Sequence, residues 1–306
     1  MSSLSATTTR RVGSRSGPAD AAVLRARAPD QPRGGLGPVV VFFALAYGFS
    51  WAWVIPWAAT GHTVFQGQGW PTHVPSLVGP LLAAFAVTGW TDGWRGVRAL
   101  WSRMGRWRIG WRWWLAVASP LLFFFLVLAA VALVGAEVPA RADFARFSGI
   151  PSGFGIVGVA AVVTVVGGFG EETGWRGYAL PHLQRRFGPI VSSLVIAGLW
   201  AGWHIPQFFL LHSYENFSVA MLPVFVFGLT CGAIVWTWIY NRTGSVLAVA
   251  VWHGIYNVTG GTLAATSGSG AIAAAMWTFV VMYAIVLLAV ERQARRAHRP
   301  SILGVR

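Results

Sequence analysis

From residue 38 to residue 290 the chain is a succession of apolar runs separated by short polar breaks, and this pattern decides most of what it can fold into. The runs are 38–57, 74–90, 113–134, 155–180, 189–211, 220–240, 245–265 and 271–290. A helix needs about 20 apolar residues to cross a bilayer. Most of the runs approach that length, although the second is short and the fourth is interrupted by charge. They are too long for strands and lack a two-residue alternation. The expected fold is therefore all-α: a polytopic integral membrane protein of about eight transmembrane helices. Composition agrees, because only 10% of residues are charged, against about 25% in a soluble domain. That shortfall all but excludes a soluble enzyme of this size.

The flanks differ from this core. Residues 1–36 are rich in Ser, Thr, Ala, Pro and Arg and hold no apolar run, which reads as a disordered basic tail. No stretch there resembles the apolar core of a signal peptide, although an Arg/Ser-rich transit peptide has a similar composition. Residues 37–290 form the transmembrane domain and 291–306 a second basic tail. The net charge is +14, from 23 basic residues against 9 acidic ones, and every basic residue is arginine. With the N-terminus inside, segments 1–37, 91–112, 181–188, 241–244 and 291–306 hold 20 of these arginines. The outer loops hold only Arg141 and Arg146. Positive charge marks the cytoplasmic side, so both termini are expected there. The arginines are then assigned to anionic lipid head groups rather than nucleic acid. Interleaved Trp94, Trp101, Trp107, Trp111, Trp113 and Trp114 read as an interfacial belt. The single cysteine, Cys231, excludes an intramolecular disulfide and reads as a small packed hydrophobe.

Ionisable side chains at membrane depth are costly, which makes the few present informative. Glu171 and Glu172 are the only acids inside a run. His204 and His253 lie inside the fifth and seventh runs, whereas His62, His73, His182, His212 and His298 fall in loops, tails or run ends. Arg176 follows Glu172 by one helical turn, and Asn257 follows His253 by one. At 1.5 Å per residue from the arginine-rich side, Glu171 lies roughly 15 Å deep, His253 about 12 Å, Asn257 about 18 Å and His204 about 22 Å. That is a middle-to-inner band in which all four can share a cavity.

On a helical wheel of about 100° per residue, Gly167, Gly170, Gly174 and Gly177 form a stripe for close helix approach. Glu172 and Arg176 share a face and can pair. Glu171 points away from them, beside the stripe, and is left free to face a water-containing pocket. The bland alternative is that both glutamates are solvated at the cytoplasmic mouth, which does not account for two buried histidines at matching depth. Pro206 cannot donate to the Gly202 carbonyl, so a kink or a freed acceptor is expected beside His204.

These residues carry a resemblance. Glu171-Glu172-x-x-x-Arg176, Trp200-x-x-x-His204 and His253-x-x-x-Asn257, in that order on consecutive helices, resemble the three motifs of the CPBP family of intramembrane proteases. That family includes type II CAAX prenyl endopeptidases and bacterial proteins linked to bacteriocin processing and self-immunity. The resemblance spans roughly residues 90–290. It departs at Trp200, where Phe is more usual; an aromatic is retained, so packing rather than chemistry is expected to change.

The resemblance implies hydrolysis of a peptide bond in a CAAX-like or other membrane-associated peptide, in a bacterial plasma membrane. Glu171 would deprotonate a water. His204 would orient that water or hold a metal. His253 and Asn257 would stabilise the oxyanion, with Glu172 and Arg176 in support. Glu171, His204 and His253 also form a donor set suited to zinc, but no H-E-x-x-H is present and a metal-free mechanism is equally compatible. A proton-coupled transporter is the main rival, since buried Glu, His and Arg also form proton relays. A non-catalytic membrane immunity or partner protein is a third reading.

Overall fold

The computed structural model describes residues 35–262 and 270–305. The tail expected at 1–36 therefore lies almost wholly outside the described residues. Among the described residues eight long helices are present: α1 (Gly37–Ala59), α2 (Gly79–Met104, entered through a tight turn at Val74–Val78), α3 (Trp111–Leu133), α4 (Ser152–Gln184), α5 (Pro189–Trp203), α6 (Leu222–Thr243), α7 (Val246–Gly261) and α8 (Ala271–Arg296). Each apolar run falls on one of them, and no extended strand occurs among the described residues.

The protein is an all-α polytopic membrane protein, and the expected count of about eight spans is not reached among the described residues. Seven helices among the described residues are long and apolar enough to cross a bilayer, and α7 is not one of them. Local signals cut it short. Gly244, at φ +61°, ends α6 in the left-handed conformation that glycine adopts without a steric penalty. Ser245 then caps α7, its Oγ accepting from the Ala248 amide at 3.0 Å. Thr262 turns out of the helix with extended backbone after only 16 residues. Burial explains why so short a segment is apolar: Val246, Ala248, Val249, Ala250 and Trp252 are all enclosed by neighbouring helices.

The two ends of the bundle are each clasped by contacts between loops. At one end the Ser245 hydroxyl donates to the Arg106 carbonyl at 2.6 Å, Arg103 Nη1 to Tyr240 Oη at 3.2 Å, and Asn241 Nδ2 to the Leu303 carbonyl at 2.7 Å. Residues 297–305 fold back there, with the Ile302 amide donating to Glu291 Oε2 at 2.8 Å. At the other end isolated bridges join Val64 to Leu211, Gln66 to Ser148, and Phe147 to Thr262. Between the ends, Leu122, Phe125, Leu126 and Val157 point outward, as expected of side chains against lipid. α2 continues past its apolar run by turning at Gly93, at φ +61°. Beyond that turn Trp94 and Trp101 are exposed beside Arg95 and Arg98.

Candidate active site

The glutamates sit on a short α-helical stretch of α4, Phe169–Gly174, between two π-helical turns at Val163–Gly168 and Trp175–Ala179. Such wide turns are rare and recur at functional sites. Glycines let this stretch press against its neighbours. A Cβ at Gly170 would lie 2.4 Å from the Leu77 carbonyl oxygen, one at Gly174 2.7 Å from that of Pro80, and one at Gly168 2.5 Å from that of Ala250. The stripe expected on the wheel thus receives the turn that leads into α2, and Gly168 admits the backbone of α7.

Glu172 is fully buried and its Oε1 serves two partners. Arg176 Nη1 donates to it at 3.0 Å and His253 Nδ1 lies 2.8 Å away. A carboxylate only accepts, so Nδ1 carries the hydrogen. Arg176 is buried too, and its guanidinium stacks over the rings of Trp236 and Trp200 at 4.7 and 5.4 Å. The i,i+4 pair expected from the wheel is therefore present, and it also holds an imidazole on a different helix.

Glu171 points the other way, into a cavity of about 380 Å³ lined also by His204, His253 and Asn257. Its Oε2 accepts from Trp200 Nε1 at 2.7 Å. This corrects the expectation for Trp200: the departure from Phe changes chemistry as well as packing, because an indole donates a hydrogen bond that a phenyl ring cannot. The Trp200 carbonyl also accepts from His204 Nδ1 at 2.8 Å, which leaves His204 Nε2 as an acceptor. α5 ends at Trp203, before Pro206, and the chain continues as a tight turn over Ile205–Phe209. The freed Trp203 carbonyl accepts from Trp51 Nε1 at 3.0 Å, and that of Leu199 from the Tyr47 hydroxyl.

Convergence of the four residues is as expected, but the depth of Glu171 is not. The cavity walls come from the α1–α2, α3–α4 and α5–α6 loops, including His73, Ser148, Gln207 and Tyr214. The site therefore lies away from the arginine-rich end rather than toward it. Glu171 lies further from that end than expected because α4 runs on to Gln184, whereas His204 keeps its expected distance because α5 begins at Pro189.

Sequence reasoning set His73 aside as a run-end histidine. It is 5% exposed, its Nδ1 has no hydrogen-bond partner among the described residues, and burial next to His204 pushes it down to about 4. Burial and the charge of Glu171 push Tyr214 up to about 12, so its hydroxyl remains a donor. No local motif surrounds either residue; only the loop pairing brings them to the cavity.

Zinc was the metal suited to the expected donor set. Among the described residues no three His, Cys, Asp or Glu side chains stand close enough together to hold an ion. Glu171 Oε2 and His204 Nδ1 are also engaged by Trp200. As folded, the described residues do not bring Glu171, His204 and His253 together as a three-donor set.

The class is thus an integral membrane protein of helices around a buried glutamate–histidine cavity. Residues 153–259 match the family model for type II CAAX prenyl endopeptidase Rce1-like proteins, and every motif residue lies inside that range. A stretch of 91 residues is 32% identical to the CAAX prenyl protease 2 of Methanococcus maripaludis. That alignment covers 26% of this chain and 31% of the relative, so it spans about a third of the relative's length. Motifs, family match and relative together make this segment similar to the CPBP/CAAX protease family.

Proposed function

We propose that the protein is an intramembrane endopeptidase that hydrolyses a CAAX-like or other membrane-associated peptide with a water activated by Glu171 and His204. The observation that carries this reading is the shared cavity, in which Glu171 faces His204, His253 and Asn257 while Glu172 is bound elsewhere. Glu171 takes a proton from water as the oxygen attacks the scissile carbonyl carbon. His204 Nε2 accepts the second hydrogen of that water and aims it. The resulting oxyanion is met by Asn257 Nδ2 and by His253 Nε2. For Nε2 to donate, the ring must carry both protons, and Glu172 is the counter-charge for that form. Glu171 then returns its proton to the leaving amine as the C–N bond breaks. No step passes through a metal.

The arginine asymmetry supports a cytoplasmic location for both termini and contact of the basic segments with anionic head groups. Cleavage of a membrane-anchored peptide by the purified protein tests the enzyme reading. E171Q is expected to fold and to cleave nothing. Cleavage by both E171Q and H204A at the parent rate would refute it. Solute flux into liposomes without proteolysis would instead favour the transporter.

A further inference from the structure

The helical bundle has two chemically distinct ends, and the cavity belongs to one of them. Among the described residues, the end formed by the α2–α3, α4–α5 and α6–α7 connections, the helix termini that flank them and the chain after α8 carries thirteen arginines: six over 95–112, then Arg185, Arg186, Arg242, Arg292, Arg295, Arg296 and Arg299. The opposite end carries two, Arg141 and Arg146, with Glu137, Asp143 and Glu215 beside them. Contacts between the connections hold each set together as one end. Ser245 reaches Arg106 and Asn241 reaches Leu303 at the first, while Val64, Leu211, Gln66, Ser148, Phe147 and Thr262 pair at the second.

The cavity lining runs from the loops of the arginine-poor end to about the bundle's middle, passing the midpoint of its helix by a few residues at Glu171 on α4 and at Trp236 on α6. On α2 the lining stops at Leu77, just before the helix begins. On α4 it stops at Glu171, on α5 it starts at Trp200, on α6 it stops at Trp236, on α7 it starts at His253 and on α8 it stops at Val280. Arginine-rich ends face the cytoplasm, because charged loops are retained on that side during insertion.

We infer that the cavity opens to the extracytoplasmic face, and that its substrate is a membrane-anchored segment of an exported protein presented from that side. The substrate part of this inference rests on the endopeptidase reading; the sidedness does not. The lining agrees with an internal peptide rather than a free chain end. Its ionisable side chains are Glu171, His73, His204, His253, Tyr214 and Tyr256, so no arginine stands ready to neutralise a terminal carboxylate.

Labelling with a membrane-impermeant maleimide decides the sidedness. In a C231A background, Ser213→Cys reports the cavity rim and Ser102→Cys the arginine-rich end; both positions are exposed. Intact bacterial cells expressing the full chain should label S213C at once, and S102C only after permeabilisation. The reverse pattern, or equal labelling of both from outside, would overturn the inference. Ser152→Cys, an exposed position on the same face as Ser213, repeats the test where S213C does not accumulate.

Vesicles then test the substrate. A peptide carrying an N-terminal lipid anchor and a fluorescent group, added from outside, should be cut by right-side-out vesicles and not by inside-out ones, with E171Q silent in both. Cutting by inside-out vesicles alone overturns the inference and leaves the protease reading intact. Absence of cutting in detergent as well as in both vesicle types refutes the protease reading, while the labelling result still stands.

Discussion

Trp200 donates its indole N–H to Glu171 Oε2 at 2.7 Å, one helical turn before His204. One residue thus holds the glutamate with its side chain and the histidine with its carbonyl. W200F keeps the ring and the backbone and removes only the donor. A hydrogen bond to a charged group contributes about 1.5–3 kcal/mol, so kcat should fall about ten- to hundred-fold. KM should stay within about two-fold, because the bond orients the base rather than the peptide. Steady-state kinetics on a fluorogenic peptide would measure this, and unchanged kcat would reduce Trp200 to a packing role.

Glu172 couples two helices through a single oxygen, which separates its contribution to stability from its contribution to chemistry. E172Q removes the carboxylate paired with the buried Arg176 charge and should destabilise the fold by about 3–5 kcal/mol. E172Q/R176M removes both charges and should regain most of that stability. Activity should not return in the double variant, since His253 Nδ1 no longer faces a carboxylate. Thermal melts paired with cleavage assays read both quantities. Full activity in a stable E172Q/R176M protein would show that Glu172 serves only to neutralise Arg176.

The helices were legible because apolar runs of membrane length have few alternatives, and the Glu172–Arg176 pair because i,i+4 spacing survives in a short α-helical stretch. The four cavity residues were legible because so few polar groups enter the runs. Other features depend on contacts between elements that are distant in sequence. The second partner of Glu172 lies 81 residues away, and the bond from Trp200 spans 29 residues to Glu171. His73 reaches the cavity only because the α1–α2 loop pairs with those after α3 and α5. The π-helical turns leave no mark on a wheel drawn at a constant angle, and α7 reads as a span until its capping by Ser245 and its exit at Thr262 are seen.

His73 gives the site a measurable response to acid. Its folded pKa of about 4 lies below the ordinary value of 6.5, so the unfolded chain binds a proton that the folded one refuses. Its contribution to stability is complete above pH 6.5 and is lost as pH falls toward 4, by roughly 3 kcal/mol at most. H73Q should flatten the decline in melting temperature across that window. A parent and H73Q that decline in parallel would remove His73 as its source.

Metal removal discriminates sharply here. Prolonged dialysis against a strong chelator, followed by assay in chelator-treated buffer, should leave activity within about two-fold, because no three donor side chains converge on an ion among the described residues. Activity that disappears and returns with zinc alone would show that the donors gather only when metal is bound, and Glu171 could not then be the base.

The packing of α4 makes a prediction about glycine that opposes intrinsic helix propensity. In a helix interior alanine is favoured over glycine by about 1 kcal/mol. At Gly198 on α5 nothing lies within 4 Å of an added Cβ, so G198A should be neutral or raise the melting temperature. At Gly170 the same methyl would fall 2.4 Å from the Leu77 carbonyl oxygen, and at Gly254 it would fall 2.2 Å from Thr164 Oγ1. Backbone at Leu77 cannot rotate away as a side chain can, so G170A must separate α4 from the turn that leads into α2 and should cost about 1–3 kcal/mol or more. G254A meets a hydroxyl that can rotate but also the Thr164 Cα at 2.9 Å, which ranks it between the two. Because Gly170 adjoins Glu171, G170A should lose activity in excess of its loss of folded protein, whereas G198A should lose neither. Melting temperatures in the order G198A, G254A, G170A, from highest to lowest, are expected. Equal values for all three would mean that α4 does not rest on its neighbours through these glycines.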